Sequence, residues 1–159
     1  MSYFRQTSNY QISVSESTIA RQVYGGGSVI DITNSRIDYT PHPLAKKVIY
    51  EGSFYVRQNS GSYMWLGIGL LHYTNGSWSE ISSANRRQIY TAQYHDGVSD
   101  EYTPYFKYSL NTWQGERPIK MVASSYSSNW KAIFHQTSRW EGGGTDTSVM
   151  PQFMMYSVL

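Results

Sequence analysis

The residues that could carry acid–base or metal chemistry are few and widely spaced. The four histidines are His42, His72, His95 and His135. No two of them stand two or four residues apart, so the chain lacks the short histidine spacings that bring two ligands to one zinc ion. It also lacks the Gly-x-Ser-x-Gly elbow of hydrolases and the Gly-Lys-Ser/Thr loop that binds phosphates. Cysteine is absent, which excludes thiolate ligands and disulfides. We therefore predict neither a metal site nor a bound cofactor.

Carboxylates are the next candidates for chemistry. Residues 95–101 contain Asp96, Asp100 and Glu101, and Ca²⁺ prefers such oxygen ligands. Their spacing is not that of an EF-hand, and an Asp followed by Gly is typical of a turn. We interpret the segment as an exposed loop, with a cation site as the alternative.

A glycosidase would need two carboxylates held at a defined separation across a sugar ring. Glu51 and Glu80 lie on separate predicted strands, and nothing in the sequence pairs them. We predict that the protein is not an enzyme.

Aromatic side chains are abundant, with 15 tyrosines and five tryptophans. Trp113 and Trp140 lie in the loop-like contexts NTWQGE and SRWEGGG. They are the predicted ligand contacts, because exposed indole rings can pack on sugar faces. Trp65 and Trp78 lie in predicted strands, where we expect them to fill the core or a subunit interface.

The elements that must position these residues are predicted to be strands. In the run KKVIYEGSFYV, Val48, Tyr50, Phe54 and Val56 fall on one face, which is the period-two pattern of a half-buried strand. The next run, SYMWLGIGLLHYT, is apolar on both faces and predicts a strand covered on both sides.

A hairpin is predicted at Asn75-Gly76, which favours a type I′ turn. This turn would place Thr74 opposite Ser77 and Tyr73 opposite Trp78, and farther along it would place Leu70 opposite Ile81. Short strands separated by turn residues continue to the end of the chain. Together they predict an all-β protein, an antiparallel β-sandwich or jelly roll spanning residues 29–159.

Residues 1–28 differ in composition, being polar and ending in three glycines. Ser13 and Glu16 have the spacing of a capping box, and Ile19 and Val23 stand four residues apart, so a short helix over about 14–24 is expected. The segment is interpreted either as a flexible leader or as an arm that anchors the domain to a partner.

The overall composition argues against nucleic acid and membranes as partners. The net charge is only +2, and charged residues make up 15% of the chain, so no concentrated basic face for nucleic acid is predicted. The sequence begins with no signal peptide and contains no run of 18 apolar residues, so we expect a protein that does not insert into membranes and assembles in a cytoplasm.

The final run, QFMMYSVL, is apolar on both faces. One face can fill the core, and the other then needs a partner to cover it. The predicted contacts of a threefold interface are Phe153, Met154, Met155, Tyr156 and Val158.

Three stretches together resemble short structural proteins of tailed phages, cyanophages especially. They are Ile32-x-x-Ser35-x-Ile37-x-Tyr39-Thr40-Pro41, Val48-Ile49-Tyr50-Glu51-x-x-Phe54, and the ending Pro151-x-Phe153-Met154-Met155-Tyr156-Ser157-Val158-Leu159. The resemblance implies a homotrimeric jelly roll of the tumour-necrosis-factor type.

The same resemblance implies a place in the virion and two kinds of partner. The chain would bind copies of itself, and through residues 1–28 it would bind other virion proteins, the capsid first among them. It would decorate or cement a capsid, or form a short head fibre. The alternative is a tail-fibre knob that recognises host surface glycan. A cellular adhesin or lectin is a third reading, which the missing signal peptide disfavours.

Overall fold

The computed structural model of the chain describes residues 22–24, 29–58, 65–81, 87–90, 101–124, 132–135 and 151–159. Within these ranges the chain forms strands and no helix. The strands are β1 (Gln22–Tyr24), β2 (Val29–Asp31), β3 (Ile37–Tyr39), β4 (Lys47–Ser53), β5 (Val56–Gln58), β6 (Trp65–Thr74), β7 (Ser77–Glu80), β8 (Arg87–Tyr90), β9 (Glu101–Tyr102), β10 (Tyr105–Leu110), β11 (Arg117–Ser124), β12 (Ala132–Phe134) and β13 (Gln152–Val158).

The strands form three sheets, and all their pairings are antiparallel. Sheet I has the order β1-β12-β5-β9, and sheet II has the order β10-β4-β13. Sheet III has the order β2-β11-β6-β7, with β3 also beside β11 and β8 also beside β6. The predicted all-β, antiparallel β-sandwich is confirmed.

Buried tyrosines join sheet II to sheet III across the core. The Tyr108 hydroxyl of β10 donates to the Ile68 carbonyl of β6 at 3.1 Å. The Tyr50 hydroxyl of β4 donates to the Ser35 carbonyl, and the Ser35 hydroxyl in turn lies 3.1 Å from the Met121 carbonyl of β11. Since a buried hydroxyl needs a partner, these bonds fix how the two sheets face each other.

The core continues from sheet II into sheet I through a cluster of phenylalanine rings. Phe54 stacks on Phe106 of β10 with ring centroids 5.7 Å apart, and it lies 5.7 Å from the ring of Phe134 in β12. All three are buried. Phe54 lies between β4 and β5, so its side chain packs against residues of both sheet II and sheet I.

The run KKVIYEGSFYV keeps its predicted set of core residues but is not one strand, and Ile49 and Tyr55 on its other face are buried as well. The four predicted inward residues, Val48, Tyr50, Phe54 and Val56, all belong to the core cluster. The chain leaves sheet II after Ser53 and enters sheet I at Val56. Every second side chain still faces the core after the change of sheet. The sequence pattern therefore gives no sign that the chain passes from one sheet to another.

A close approach of backbone and ring requires Gly52 in β4. Gly52 lies opposite Phe153 of β13. A Cβ at position 52 would lie 2.2 Å from Phe153 Cδ1 and 2.7 Å from the Gln152 carbonyl oxygen. The Phe153 ring therefore covers the space that any larger residue would fill.

The hairpin prediction is confirmed in turn and in register. Asn75 and Gly76 both have positive φ angles, 52° and 80°, as a type I′ turn requires. Tyr73 lies opposite Trp78 and Thr74 opposite Ser77, and the Ile81 amide donates to the Leu70 carbonyl at 3.0 Å.

One local expectation is wrong, and another holds in part. The helix expected over about 14–24 fails at its end, because residues 22–24 form β1 and pair with β12; residues 14–21 lie outside the described ranges. Strand β6 is covered unequally on its two sides. Its row of Leu66, Ile68 and Leu70 is fully buried, whereas Trp65 and Leu71 on the opposite face are half-buried.

Candidate functional site

A cleft opens where the apolar rows facing the core of the sandwich run out. The core-facing row of β6 ends on His72, and that of β11 ends on Arg117. The row of β10, from the opposite sheet, ends on Leu110. Polar residues thus replace apolar ones at this end of the sandwich, and a cleft of about 290 Å³ remains; we name it the Trp113 cleft.

The Trp113 cleft is closed by the connection between β10 and β11, residues 111–116. Trp113 on this connection is half-buried and packs against the core. Its indole N–H donates to the Tyr39 carbonyl at 3.3 Å, and its ring meets the Tyr39 ring edge-on at 6.3 Å. The predicted ligand contact is thus a fixed part of the cleft wall and not an exposed aromatic platform.

Arg117 is held between an aromatic face and a histidine. Its guanidinium carbon lies 5.2 Å from the centre of the Trp113 ring, within the range of a cation–π contact. Its Nη1 atom lies 3.4 Å from His72 Nδ1. Because Arg can only donate, His72 Nδ1 accepts this weak bond, and the His72 proton belongs on Nε2.

The charge of His72 follows from the same arrangement. Burial lowers the pKa of His72 below its ordinary value, and the positive charge of Arg117 lowers it further. At neutral pH the Trp113 cleft therefore holds a neutral imidazole with an N–H donor beside a permanent cation.

The remaining wall combines polar and apolar groups. Asn111 and Thr112 contribute hydrogen-bonding groups, and half-buried Ile81 contributes apolar surface. Fully buried Ile119 lies behind the cleft wall, and Glu80 also lines the cleft. Such a mixture suits binding of a small polar ligand. Within the described part of the chain, no group of three or more His, Cys, Asp or Glu could hold a metal ion.

The outer face of sheet II forms a second candidate surface. Glu51 of β4 accepts hydrogen bonds from the Tyr105 hydroxyl at 2.7 Å and the Tyr156 hydroxyl at 3.3 Å. Lys107 lies 3.3 Å from the same carboxylate oxygen and 5.9 Å from the Tyr156 ring centre. One carboxylate thus organises neighbouring side chains from all three strands, and only 13% of the Glu51 side chain is exposed.

The predicted interface residues of β13 divide between two environments. Phe153 and Met155 belong to the core cluster of the chain itself. Met154 and Tyr156 are half-buried on the outer face, and Val158 there is 38% exposed. The accessible part of the predicted interface is therefore Met154, Tyr156 and Val158, together with exposed Tyr105 from β10.

Trp78 lies on the outer face of sheet III. Lys120 Nζ lies 4.1 Å from its ring centre and the Arg36 guanidinium carbon 5.9 Å. Both cations also pair with carboxylates, Lys120 with Asp31 and Arg36 with Asp38. Trp78 was expected in the core or at an interface, and the structure places it among these charges, half-buried.

Some predicted features fall outside the described residues, and others were missed by sequence reasoning. Trp140 and residues 95–100 of the acidic segment lie outside the described ranges. His72 and Arg117 were not singled out as partners of Trp113. The available signal was a polar residue at the end of an apolar alternating row, which marks the point where a strand leaves the core.

Comparisons with known proteins identify no relative of this chain. No protein-family model matches the chain, and neither curated proteins nor solved structures give a match. In the described residues there is no helix long and apolar enough to cross a membrane.

Proposed function

We propose that this chain is a non-enzymatic structural protein of a phage virion that assembles as a homotrimer and decorates or cements a capsid, or forms a short head fibre. The observation that carries the self-assembly part is the outer face of sheet II. The virion part is supported by the resemblance of the three sequence stretches to tailed-phage structural proteins.

The composition of this outer face suits burial against another protein. Tyr and Met are enriched in protein interfaces, whereas Glu and Lys are depleted there. The face presents Tyr105, Tyr156 and Met154, and it also carries Lys47 and Lys107. Its one glutamate, Glu51, pairs with Lys107, and Lys47 donates to Asn111, so its charged groups are already bonded within the chain. Covering the face would therefore leave no unpaired carboxylate buried in the interface. A buried unpaired carboxylate would cost several kcal/mol.

The edge of sheet II also favours self-association. Strand β13 pairs with β4 along one side, and no described strand pairs with its other side. An unpaired strand edge presents backbone N–H and C=O groups that a neighbouring chain can use or cover. The edge and the outer face meet at β13, so one partner copy can cover both.

The test of self-assembly is the absolute mass in solution, by size-exclusion chromatography with light scattering. The chain has a mass of 18.2 kDa, and we expect a species of three times that mass. A monomer at micromolar concentration would contradict the trimer and leave the outer face of sheet II as ordinary surface.

The virion attachment is tested by truncation. Because residues 22–24 pair with β12, the truncation should remove residues 1–21 and leave β1 in place. We expect the truncated trimer to remain assembled and to lose binding to capsids that lack this protein. Full occupancy by the truncated protein would rule out the amino-terminal anchor.

A second candidate function is recognition of host surface glycan by a tail-fibre knob. The observation that favours it is the Trp113 cleft, which brings an aromatic ring, a cation and several hydrogen-bonding groups together at one end of the sandwich. A glycan array with the full chain tests it: binding abolished by Trp113→Ala in a folded variant supports the function, and no binding above background contradicts it.

A further inference from the structure

We propose that the Trp113 cleft binds a carboxylate-bearing saccharide unit, a hexuronic acid, and that Arg117 recognises the carboxylate. This inference rests on the second candidate function, saccharide binding, and names the ligand class. It is independent of whether the chain forms a trimer.

The cleft lining carries one charge of each sign, Arg117 and Glu80, and Arg117 is the group that can bind an anion. Arg117 is permanently charged and makes no ion pair within the described part of the chain; its contacts there are the Trp113 ring and the His72 imidazole. Guanidinium has five N–H donors, and the contact with His72 uses one of them. The remaining donors can bind a carboxylate in the bidentate geometry that Arg favours.

The neutral His72 adds a donor beside this cation. With Nδ1 accepting from Arg117, the Nε2 atom carries the proton and can donate to a ligand oxygen. Glu80 also lines the cleft and has other contacts within the chain, and its carboxylate can accept from sugar hydroxyls.

The size and the other lining groups favour a single sugar unit. Pockets for drug-sized ligands span roughly 300–1,000 Å³, so a cleft of about 290 Å³ suits one ring and not an oligosaccharide. Asn111 and Thr112 offer hydrogen bonds to ring hydroxyls, and Trp113 with Ile81 offers apolar surface to the C–H groups of the ring.

The experiment compares matched ligands that differ only at C6. Saturation-transfer NMR on the full chain would measure binding of the methyl glycosides of glucose, galactose and mannose, each compared with the methyl glycoside of the corresponding uronic acid. We expect at least one uronate to bind at least about ten-fold more tightly than its neutral counterpart, the factor that a charge-assisted hydrogen bond supplies. Acetate at the same concentration should not displace it.

The variant pair is Arg117→Gln and Arg36→Gln. Both remove an arginine that lies over a tryptophan ring, but Arg36 lies on the outer face of sheet III. We expect Arg117→Gln to reduce uronate binding at least about ten-fold and Arg36→Gln to leave it unchanged, with circular dichroism showing that both variants fold.

The outcomes separate the inference from the function on which it rests. Equal binding of neutral and acidic glycosides, lost in Trp113→Ala, would keep saccharide recognition and overturn the role of Arg117. Displacement by acetate would show that the sugar contributes nothing and would overturn the proposal. Absence of binding by every glycoside would overturn both the proposal and saccharide recognition, while the mass in solution would still decide the trimer.

Discussion

At the scale of single residues, His135 combines burial with an unusual backbone conformation. Its side chain is fully buried beside Phe54 and Phe134, and neither ring nitrogen has a hydrogen-bond partner among the described residues. Its φ angle is 63°, in the left-handed region that few residues other than glycine adopt. Burial lowers the pKa of His135 from its ordinary value to about 4. The folded state therefore requires a neutral imidazole at this position.

This arrangement predicts a loss of stability in mild acid. A histidine with pKa near 6.5 in the unfolded chain and about 4 in the fold stabilises the protein fully above about pH 6.5. That contribution falls as the pH decreases toward 4, by up to about 3 kcal/mol. Urea unfolding between pH 7 and 4 should show this decline. In His135→Asn, which suits the left-handed backbone, the decline should be smaller by a similar amount.

The matched control is His42→Asn at a half-exposed histidine. It should keep the acid-dependent decline of the original chain. If His135→Asn and His42→Asn show the same pH dependence, burial of a neutral His135 is not the cause.

At the scale of elements, sheet II depends on the fit between β4 and β13. Gly52 lets the Phe153 ring lie directly against the backbone of β4. Gly52→Ala would force the ring and the Gln152 carbonyl to move, and overpacking of this kind costs roughly 1–3 kcal/mol. Equilibrium unfolding in urea should show this loss in the free energy of unfolding.

Ser109→Ala serves as the control for this substitution, because Ser109 is exposed on the neighbouring strand β10. It should change stability by less than about 0.5 kcal/mol. Unchanged stability of Gly52→Ala would mean that β4 and β13 do not approach each other as described.

The β10–β11 connection forms one wall of the Trp113 cleft between sheet II and sheet III. It starts in sheet II after Leu110 and ends in sheet III at Arg117, so it must cross the open end of the sandwich. Gly115 allows this turn with a φ angle of 74°. The Trp113 side chain of this connection contacts Tyr39 and Arg117.

At the scale of the whole molecule, the proposed trimer predicts that charged substitutions on the outer face of sheet II prevent assembly. Met154 and Val158 lie on the outer face of sheet II, and replacing both by Arg would place two like charges per chain in the interface. Like charges brought together without partners cost several kcal/mol. We expect the Met154→Arg/Val158→Arg variant to be a folded monomer by light scattering and circular dichroism.

Val29→Arg is the corresponding control, since Val29 is 49% exposed on β2 of sheet III. It should leave the trimer intact. Dissociation by Val29→Arg, or a trimer that survives the double substitution, would place the interface elsewhere on the molecule.

Local sequence determined much of the fold. The Asn75-Gly76 turn set the register of β6 and β7, because both turn residues tolerate positive φ and the antiparallel pairing follows from the turn. Alternation at Val48, Tyr50, Phe54 and Val56 identified core residues correctly, because the side-chain period of a strand is fixed at two residues.

Only the tertiary structure decided the division into sheets and the site. The core-cluster residues keep their spacing of two through the change of sheet at Phe54, so this spacing did not mark the change. His72 and Arg117 meet because Ile119 pairs with His72 across two strands that are distant in the chain, and Trp113 joins them through a loop. Sequence determines which face a side chain takes, since that is a local property of the backbone. Which faces meet depends on long-range pairing, and that is a property of the whole folded chain.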